Sequence, residues 1–384
     1  MIKGYIPING YCMDKIIKVL RFIYIYGFSR TIIKVAGRTR VLWLRFLFKS
    51  TYVHGKKDIS LIGCGQFGFS TISFFIQKAF GSRFRSCYDI NTENSLSCSK
   101  FWGYDIESDV NQLITAPESK YIFIASDHYS HTEYAIRALE AGKDVHLEKP
   151  ISVTKEQLRN LLKAQKESLG HLYAGYNRPY SKAIQKIDRV IKNNGLPLSL
   201  GCFVIGHKIG HDHWYRIPKE GTRICGNLGH WLDLSIHLFN SRGQLPRILR
   251  INVMQADKKE VDDNLTISYS TDVGDLVSIT LSSRGEPFEG IRETVNVQSG
   301  EIIAAIDDFR KMTLLRGAKR WEYRYWPKDV GHQRSIMQVF SKNNREWIEV
   351  VYSTLLMLKI RDMVLAGEDY LEYNILHDYQ DIIK

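Results

Sequence analysis

The feature that most constrains the fold is a glycine-rich hexapeptide, GCGQFG, at residues 63–68. It follows a short apolar run, DISLI (58–62), and leads into a stretch with helical character, residues 67–80. Glycines at this spacing allow a tight turn and a close approach of the backbone to a diphosphate, which the amino end of the helix attracts. The strand, turn and helix therefore predict a dinucleotide-binding unit. Its predicted cofactor contacts are Gly63, Gly65, Gln66, Phe67 and Gly68.

A carboxylate at the end of the second predicted strand indicates which cofactor is used. Asp89 lies near the end of FRSCYDI (84–90), 21 residues after Gly68. There it can accept hydrogen bonds from the ribose diol of the adenosine, and it would repel a 2′-phosphate. The position favours NAD(H) over NADP(H); an Asp in an ordinary turn after a strand is the alternative.

Strand and helix patterns alternate up to residue 168, which predicts right-handed crossovers and a parallel sheet. Beyond residue 197 the texture changes to β-rich runs separated by gaps of turn length, which predicts a largely antiparallel sheet. A long helical stretch, residues 347–367, follows it. We predict an α/β protein in which an N-terminal Rossmann domain is joined to a C-terminal domain with a mainly antiparallel sheet. The predicted boundaries are 1–56 for a basic amphipathic N-terminal extension, 57–175 for the NAD-binding domain and 176–384 for a substrate and oligomerisation domain.

Most of the formal net charge of +12 lies in the first 57 residues, which hold twelve Lys or Arg and one acid, Asp14. The body is close to neutral, which argues against binding of the body to nucleic acid. Bases and apolar residues alternate with helical spacing in residues 13–38, and no uncharged run approaches the ~20 residues that span a bilayer. Two interpretations stay open: the extension lies on an anionic membrane surface, or its apolar faces pack on the body or on a partner.

The six cysteines are scattered, without a C-x-x-C pair, which indicates a reducing compartment and predicts no metal site. The N-terminus lacks the pattern of a cleavable signal, so we expect a cytoplasmic protein, peripheral at the inner membrane face if the extension binds lipid.

Three segments resemble, in order and spacing, the glucose-fructose oxidoreductase, inositol dehydrogenase and MocA (Gfo/Idh/MocA) family: IGCGQFG (62–68), IASDHYSHTEYAIRALEAGKDVHLEKPIS (124–152) and AGYNRP (174–179). The resemblance covers residues 57 to about 370 and leaves the basic extension outside. GTRICGNLGHWLDL and AAIDDFRKMTLLRG are similar to members from bacterial surface-polysaccharide loci. The resemblance implies an N-terminal Rossmann domain joined to a C-terminal α/β domain with an open, mainly antiparallel sheet, and NAD(P)-dependent chemistry on sugars or cyclitols.

The resemblance implies that Lys149, in the E-K-P signature, contacts the substrate hydroxyl and the cofactor ribose. A fixed cation beside the oxidised oxygen lowers the cost of removing its proton. Glu148 is then expected to orient Lys149, and Pro150 to fix the backbone that carries both.

A histidine should supply the second acid–base group, and GNLGHWLDLSIHLF (226–239) offers two registers. His-x-x-Asp-Leu selects His230 as general base with Asp233 after it, and leaves Gly226 where the family has an Asp. Asp-x-x-x-His selects Asp233 and His237 instead. The neighbouring GTRICG and LDL favour His230, and a helix histidine packed beside the core is the alternative for His237.

The resemblance also places Ser126 and His131 near the cofactor, and Asn177 and Arg178 near the substrate. Trp214, in the loop GHDHWYR (210–216), would suit a sugar, although a solvated loop explains it equally well. We expect NAD, a sugar or nucleotide-sugar substrate, and a homo-oligomer formed through the open sheet face.

The function predicted from these features is a sugar or nucleotide-sugar dehydrogenase or reductase in surface-polysaccharide biosynthesis. Two alternatives stay open: a glycosidase that uses NAD without net redox change, and a non-catalytic nucleotide-binding scaffold at the membrane.

Overall fold

The computed structural model describes residues 10–48, 52, 55–257, 259–342 and 344–384. The extension begins with two helices, Gly10–Tyr26 (α1) and Phe28–Thr39 (α2), followed by a 3-10 turn at Leu42–Leu47. The helical character predicted for this region is confirmed. The remainder of the predicted extension lies outside the described residues, at positions 1–9, 49–51, 53 and 54.

Six strands form a parallel sheet, as the alternating pattern predicts. They are Ile59–Ile62 (β1), Phe84–Tyr88 (β2), Asp105–Ile106 (β3), Tyr121–Ile124 (β4), Asp144–Leu147 (β5) and Leu172–Ala174 (β6). Their order in the sheet is β3-β2-β1-β4-β5-β6, so the direction of winding reverses between β1 and β4. In doubly wound sheets the ligand crevice lies at such a reversal, at the carboxyl ends of the strands.

Helices connect these strands. The helix after the glycine-rich loop starts as a π-helical turn, Gly68–Ile72, and continues as Ser73–Phe80 (α3). Asparagine, aspartate or threonine side chains cap the next four helices at their amino ends, since each accepts a backbone N–H in the first turn. These helices are Thr92–Trp102 (α4), Val110–Thr115 (α5), His128–Glu140 (α6) and Lys155–Glu167 (α7).

Nine strands form the second sheet. They are Leu198–Ile205 (β7), Ile248–Gln255 (β8), Leu265–Thr271 (β9), Leu276–Ser282 (β10), Arg292–Ser299 (β11), Ile302–Asp307 (β12), Lys311–Arg316 (β13), Lys319–Arg324 (β14) and Tyr370–Asn374 (β15). The order is β14-β13-β12-β11-β7-β10-β9-β8-β15, and every pair is antiparallel except β10 with β7. The predicted α/β fold with a mainly antiparallel second sheet is confirmed.

One face of the second sheet packs on helices and the other stays open. The buried positions alternate with exposed ones along β7, β8 and β12, as expected for a sheet with one covered face. The helices of this half are Lys182–Ile191 (α8), Gly229–Ser241 (α9), His332–Ser341 (α10), Trp347–Ala366 (α11) and Ile375–Ile382 (α12). Helix α10 differs from the other four because it packs on the first sheet: Ile336 and Val339 lie in the core of that sheet.

The extension packs on the body with one side. Ile33, Ala36 and Leu44 are buried in the same core as Phe69 and Phe74, which belong to the helix after the glycine-rich loop. Other apolar side chains of the extension remain exposed. None of the helices in the described part of the chain is long and apolar enough to cross a membrane.

Candidate functional site

The glycine-rich loop has the geometry that a diphosphate needs. At Gly63, with φ 92°, a Cβ would lie 2.4 Å from the carbonyl oxygen of Ala125, and at Gly68 it would lie 2.1 Å from the carbonyl oxygen of Gly63. These two glycines let the loop pack against the end of β4. Gly65 has nothing within 4 Å of its Cβ position, so the space that a diphosphate would take is open.

Asp89 is held beside this loop. Its Oδ2 accepts a hydrogen bond from the backbone N–H of Cys64 at 2.7 Å, and its Oδ1 accepts one from Asn91 at 2.8 Å. A carboxylate offers about four acceptor positions, so lone pairs remain for the two ribose hydroxyls. The geometry is compatible with the predicted NAD(H) preference.

Lys149 lies where β5 leaves the sheet, at the same carboxyl edge. Its Nζ donates a hydrogen bond to the carbonyl oxygen of Gly226 at 2.6 Å, and this bond ties the first sheet to the turn before α9. Glu148 does not hydrogen-bond Lys149; its Oε1 contacts Nε2 of His146 at 3.1 Å. The expectation that Glu148 orients Lys149 directly is therefore replaced by orientation through the Gly226 carbonyl.

Gly226 stands where the family has an Asp, and its surroundings explain why a side chain is missing. A Cβ at this position would lie 2.7 Å from Cε2 of Tyr215 and 3.0 Å from Cε1 of His128. The two rings occupy the space that a carboxylate would need. His128, which the sequence reasoning missed, is buried, and its Nδ1 lies 2.9 Å from the carbonyl oxygen of Glu220.

The imidazole of His230 is held in its neutral form. Its pKa is held well below the usual range by burial and by the nearby charges of Arg178, Lys149 and His332. A neutral imidazole can accept a proton through one ring nitrogen. Its Nδ1 is buried without a hydrogen-bond partner among the described residues, which leaves Nε2 as the nitrogen that can serve a substrate.

Asp233 and His237, the other two candidate residues of α9, form buried hydrogen bonds and ion pairs with neighbouring charged side chains. Both oxygens of Asp233 accept hydrogen bonds from Nη1 of Arg345, at 3.0 and 2.9 Å, and Asp233 is fully buried. His237 lies between Asp188 and Glu349, at 3.2 and 3.1 Å, and these carboxylates raise its pKa to about 10 against the effect of burial. Asp233 therefore contacts Arg345 where the sequence predicted a catalytic role, and His237 is placed as a structural cation.

The remaining predicted site residues fall into two groups. The ring nitrogens of His131 lie 2.9 Å from the carbonyl oxygen of Pro150 and 3.2 Å from that of Ser126, so His131 fixes the backbone around the crevice. Arg178 is buried, paired with Glu293 at 3.0 Å, and stacked over Trp231, while Asn177 donates to the carbonyl oxygen of Val330 at 2.6 Å. The polar atoms of these side chains therefore bond to other protein groups, and the side chains support the backbone around the candidate site.

Trp214 is half-exposed, and its ring centroid lies 4.6 Å from that of His128. Burial and the charge of Lys149 both lower the pKa of His128. Trp214 packs on His128, so the loop that carries Trp214 lies near Lys149.

Other residues near the site carry no motif that sequence reasoning could have used. The ring of His332 lies 5.6 Å from that of Phe67, a residue of the glycine-rich loop. Burial and four neighbouring cations hold the pKa of His332 well below its usual range; the cations are Arg30, Arg178, Lys34 and Lys149. His128 had a weak signal, since it precedes His131 by three residues on one helix face.

Three cysteines come together below the loop, although no metal site was predicted. The Sγ atoms of Cys64, Cys87 and Cys98 lie within 4.8 Å of one another, and all three residues are buried. They belong to the loop, β2 and α4, and their sequence separations fit no known ligand motif. Among the described residues this is the one group of His, Cys, Asp or Glu with spacing that could hold a metal ion.

The chain matches the model of an oxidoreductase family with an NAD-binding Rossmann fold over residues 57–176. It is 30% identical over 187 residues to inositol 2-dehydrogenase of Pseudomonas savastanoi pv. phaseolicola. This alignment covers 47% of this chain and 54% of the relative. It is 26% identical over 226 residues to inositol 2-dehydrogenase of Klebsiella pneumoniae, with coverage of 58% and 66%. The chain thus spans between half and two thirds of the length of these curated relatives.

Solved structures share the fold over a larger part of the chain. GenD2 from gentamicin A biosynthesis, in complex with NAD, aligns with a TM-score of 0.67 at 17% identity, over 85% of this chain and 98% of that one. UDP-N-acetylglucosamine 3-dehydrogenase GnnA from Acidithiobacillus ferrooxidans aligns with a TM-score of 0.66 at 16% identity, over 80% and 97%. Residues 57–176, which hold the glycine-rich loop and Lys149, are therefore similar to the NAD-binding domain of the Gfo/Idh/MocA oxidoreductases, and 80–85% of the chain shares the fold of the two solved structures.

Proposed function

We propose that this protein is an NAD-dependent dehydrogenase or reductase that acts on a hydroxyl or keto group of a sugar or nucleotide sugar, in surface-polysaccharide biosynthesis. The observation that carries the proposal is the neutral His230 near Lys149, the lysine that follows β5 at the carboxyl edge of the first sheet and bonds to the Gly226 carbonyl just before α9. The names of the relatives, an inositol dehydrogenase and a UDP-sugar dehydrogenase, support the substrate class.

Each residue has a distinct part in this proposal. The loop residues 63–68 and Asp89 hold the cofactor, whose nicotinamide exchanges a hydride with the carbinol carbon when it is bound. His230 takes the hydroxyl proton at Nε2. Lys149 places its ammonium against the same oxygen and stabilises the negative charge that grows there. The Gly226 carbonyl keeps Lys149 in place without adding a carboxylate next to it.

The test is the absorbance of reduced nicotinamide when the purified protein is incubated with NAD⁺ and a panel of inositols, sugars and nucleotide sugars. The expected result is NADH formation with at least one of them. Hydrolysis of a glycoside without accumulation of NADH would favour the glycosidase alternative. Tight NAD binding with no turnover of any compound would contradict the proposal and favour a scaffold.

We also propose that the protein is a homo-oligomer formed through the open face of the second sheet. That face exposes large apolar side chains on four strands: Phe203, Met254, Leu276 and Ile303. Such a patch on a free surface commonly marks an interface. Light scattering should give a multiple of the 44.4 kDa chain mass, and the double variant Phe203→Glu/Met254→Glu should reduce it to one chain. A single-chain mass for the unmodified protein would contradict this.

We propose, in addition, that the outer side of the extension binds an anionic membrane surface. Leu20, Trp43 and Phe46 are 59%, 66% and 63% exposed, and Lys15, Arg38 and Arg45 of the same extension are exposed as well. An apolar, aromatic surface ringed by bases suits the interface of a membrane with anionic lipids. Because each large side chain contributes about 1.5–3 kcal/mol when buried, Trp43→Ser/Phe46→Ser should weaken co-sedimentation with phosphatidylglycerol vesicles by at least about tenfold.

The matched control for vesicle binding is Ile90→Ser/Leu169→Ser, which removes two exposed apolar side chains of the body. It should bind vesicles like the unmodified protein. Equal binding by both double variants would contradict a membrane role for the extension.

A further inference from the structure

The extension contacts both halves of the molecule across the crevice. On the second-sheet side, the carbonyl oxygens of Tyr24 and Ile25 accept hydrogen bonds from Trp326 Nε1 and from the backbone N–H of Lys328, each at 2.8 Å. On the first-sheet side, Arg30 donates to the carbonyl oxygen of Ser70 and, at 2.8 Å, to Thr71. Helix α2 therefore lies over the start of the helix that follows the glycine-rich loop.

Arg40, the residue that follows α2, contacts the glycine-rich loop. Arg40 donates to the carbonyl oxygen of Cys64 at 2.9 Å and to Ser97 at 3.0 Å, and its guanidinium lies 4.5 Å from the centroid of Phe69. Cys64 is also the residue whose N–H holds Asp89. The extension is thus fixed to the cofactor loop as well as to the second half.

This arrangement brings two cations of the extension, Arg30 and Lys34, close to His332, on which Arg178 and Lys149 also act. On the second-sheet side, Glu293 is occupied by Arg178 and by the indole N–H of Trp231, and Asp308 is occupied by Lys328. Three cations that act on His332 have no carboxylate partner within the part of the chain that the structure describes; they are Arg30, Lys34 and Lys149. Two of the three come from the extension.

Of these three cations, Lys34 has the fewest polar partners for its charge. Its ammonium lies 3.9 Å from the centroid of the Tyr26 ring and 5.7 Å from that of Phe22, and within the described residues it makes no hydrogen bond or ion pair. Burial, with Arg30, Lys328 and Arg38 nearby, lowers the pKa of Lys34 to about 7. A lysine held so far below its ordinary pKa, next to other cations, is stabilised when an anion is bound beside it.

We propose that Lys34 and Arg30 complete the active site from the extension, and that with Lys149 they bind an anionic oxygen group, a phosphate or a carboxylate. The inference rests on the proposed function for the position of the crevice and deepens it by naming the charge of the ligand. The anion has two sources, the diphosphate of the cofactor or an acidic group on the substrate, and the same cations would serve either.

The experiment uses the full chain and compares Lys34→Met with Arg38→Met. Methionine keeps the apolar stem over the Tyr26 ring and removes only the charge. Arg38 lies one turn further along the same helix and is exposed, so its variant removes an equal charge outside the crevice. Two dissociation constants are measured at fixed ionic strength: that of NADH by its fluorescence, and that of inorganic phosphate for the NADH-saturated protein by calorimetry.

The expected result is a loss confined to Lys34→Met. A hydrogen-bonded charge contributes about 1.5–3 kcal/mol, so one of the two constants should rise by at least about tenfold. A weaker phosphate affinity of the NADH-saturated protein would assign the anion to the substrate. A weaker NADH affinity, with phosphate competing against NADH, would assign it to the cofactor. Lys34→Arg should restore the affected constant in either case.

The inference is overturned if Lys34→Met and Arg38→Met give the same constants as the unmodified protein, or equal losses. If Lys34→Met does not fold, Lys34→Gln supplies the same comparison with a polar side chain of similar length. Neither measurement needs turnover. A protein that converts no sugar but loses phosphate binding in Lys34→Met would contradict the proposed function and leave this inference standing.

Discussion

Replacing Lys149 by alanine should lower kcat for NADH formation by about 10²–10³, as expected when one fixed donor at a developing oxyanion is removed. The ammonium lies just beyond the end of β5, and its bond to the Gly226 carbonyl fixes its position. The loop residues 63–68 and Asp89 are untouched by the change. NADH should therefore still bind through these residues, with a weaker affinity only if the anion bound with Lys34 and Arg30 belongs to the cofactor, and kcat should fall in either case.

The control for Lys149 is Lys155→Ala, which removes an exposed lysine paired with Asp378 on the outer side of the same half. It should leave kcat unchanged, since an exposed ion pair contributes at most about 1 kcal/mol to stability and this one does not face the crevice. Lys149→Arg should not restore the rate, because the wide guanidinium cannot replace a compact ammonium at one oxygen. Full activity of Lys149→Ala would remove the proposed role.

Replacing Arg345 by methionine should reduce the free energy of unfolding by about 3–5 kcal/mol, because it leaves the buried Asp233 without a counter-charge. Arg345 donates to both oxygens of Asp233 and also to Glu349, and all three side chains are almost completely buried. Arg345 and His237 together lower the pKa of Glu349 to about 2 against the effect of burial. Urea-induced unfolding, followed by circular dichroism, measures the loss.

The pH dependence of this loss follows from Asp233. Burial already raises the pKa of Asp233, although Arg345 opposes the shift, and the variant removes that opposition. A carboxyl whose pKa is raised in the folded state destabilises the fold above its unfolded pKa, so the deficit should be larger at neutral pH than at mildly acidic pH.

An exposed pair provides the control for Arg345. Arg250 and Glu372 are paired at 3.1 Å with both side chains about half exposed, and Arg250→Met should change the free energy of unfolding by less than about 1 kcal/mol. A loss for Arg345→Met no larger than that would show that the network does not hold α9 and α11 together.

Local sequence patterns predicted much of the fold and the part of the candidate site that the first sheet provides. The loop at 63–68 and the strand before Lys149 could be recognised because their information lies in neighbouring residues: glycine spacing, strand length and a proline after a charged pair. Runs of β-rich sequence separated by turn-length gaps predicted the mainly antiparallel second sheet, and the family resemblance implied that it is open. Helical spacing within residues 226–239 agrees with the helix Gly229–Ser241.

What local patterns could not supply was the pairing of distant side chains. Helical spacing placed His230, Asp233 and His237 on one face, but it could not show that Arg345, 112 residues after Asp233, would bind that carboxylate. It also could not show that Tyr215 and His128 fill the space beside Gly226. For the extension, the sequence leaves membrane binding and packing on the body or a partner both open, because no motif connects Arg30 or Lys34 to His332.

The buried side of the extension has a consequence for where the folding unit begins. The family match starts at residue 57, yet Ile33, Ala36 and Leu44 cover Phe69 and Phe74, which lie within the matched segment. A chain cut at residue 57 would expose these aromatic side chains to water and lose the hydrogen bonds that Arg30 and Arg40 make with Ser70, Thr71 and Cys64. We therefore expect the smallest piece that folds to include α2, although sequence similarity alone would discard it.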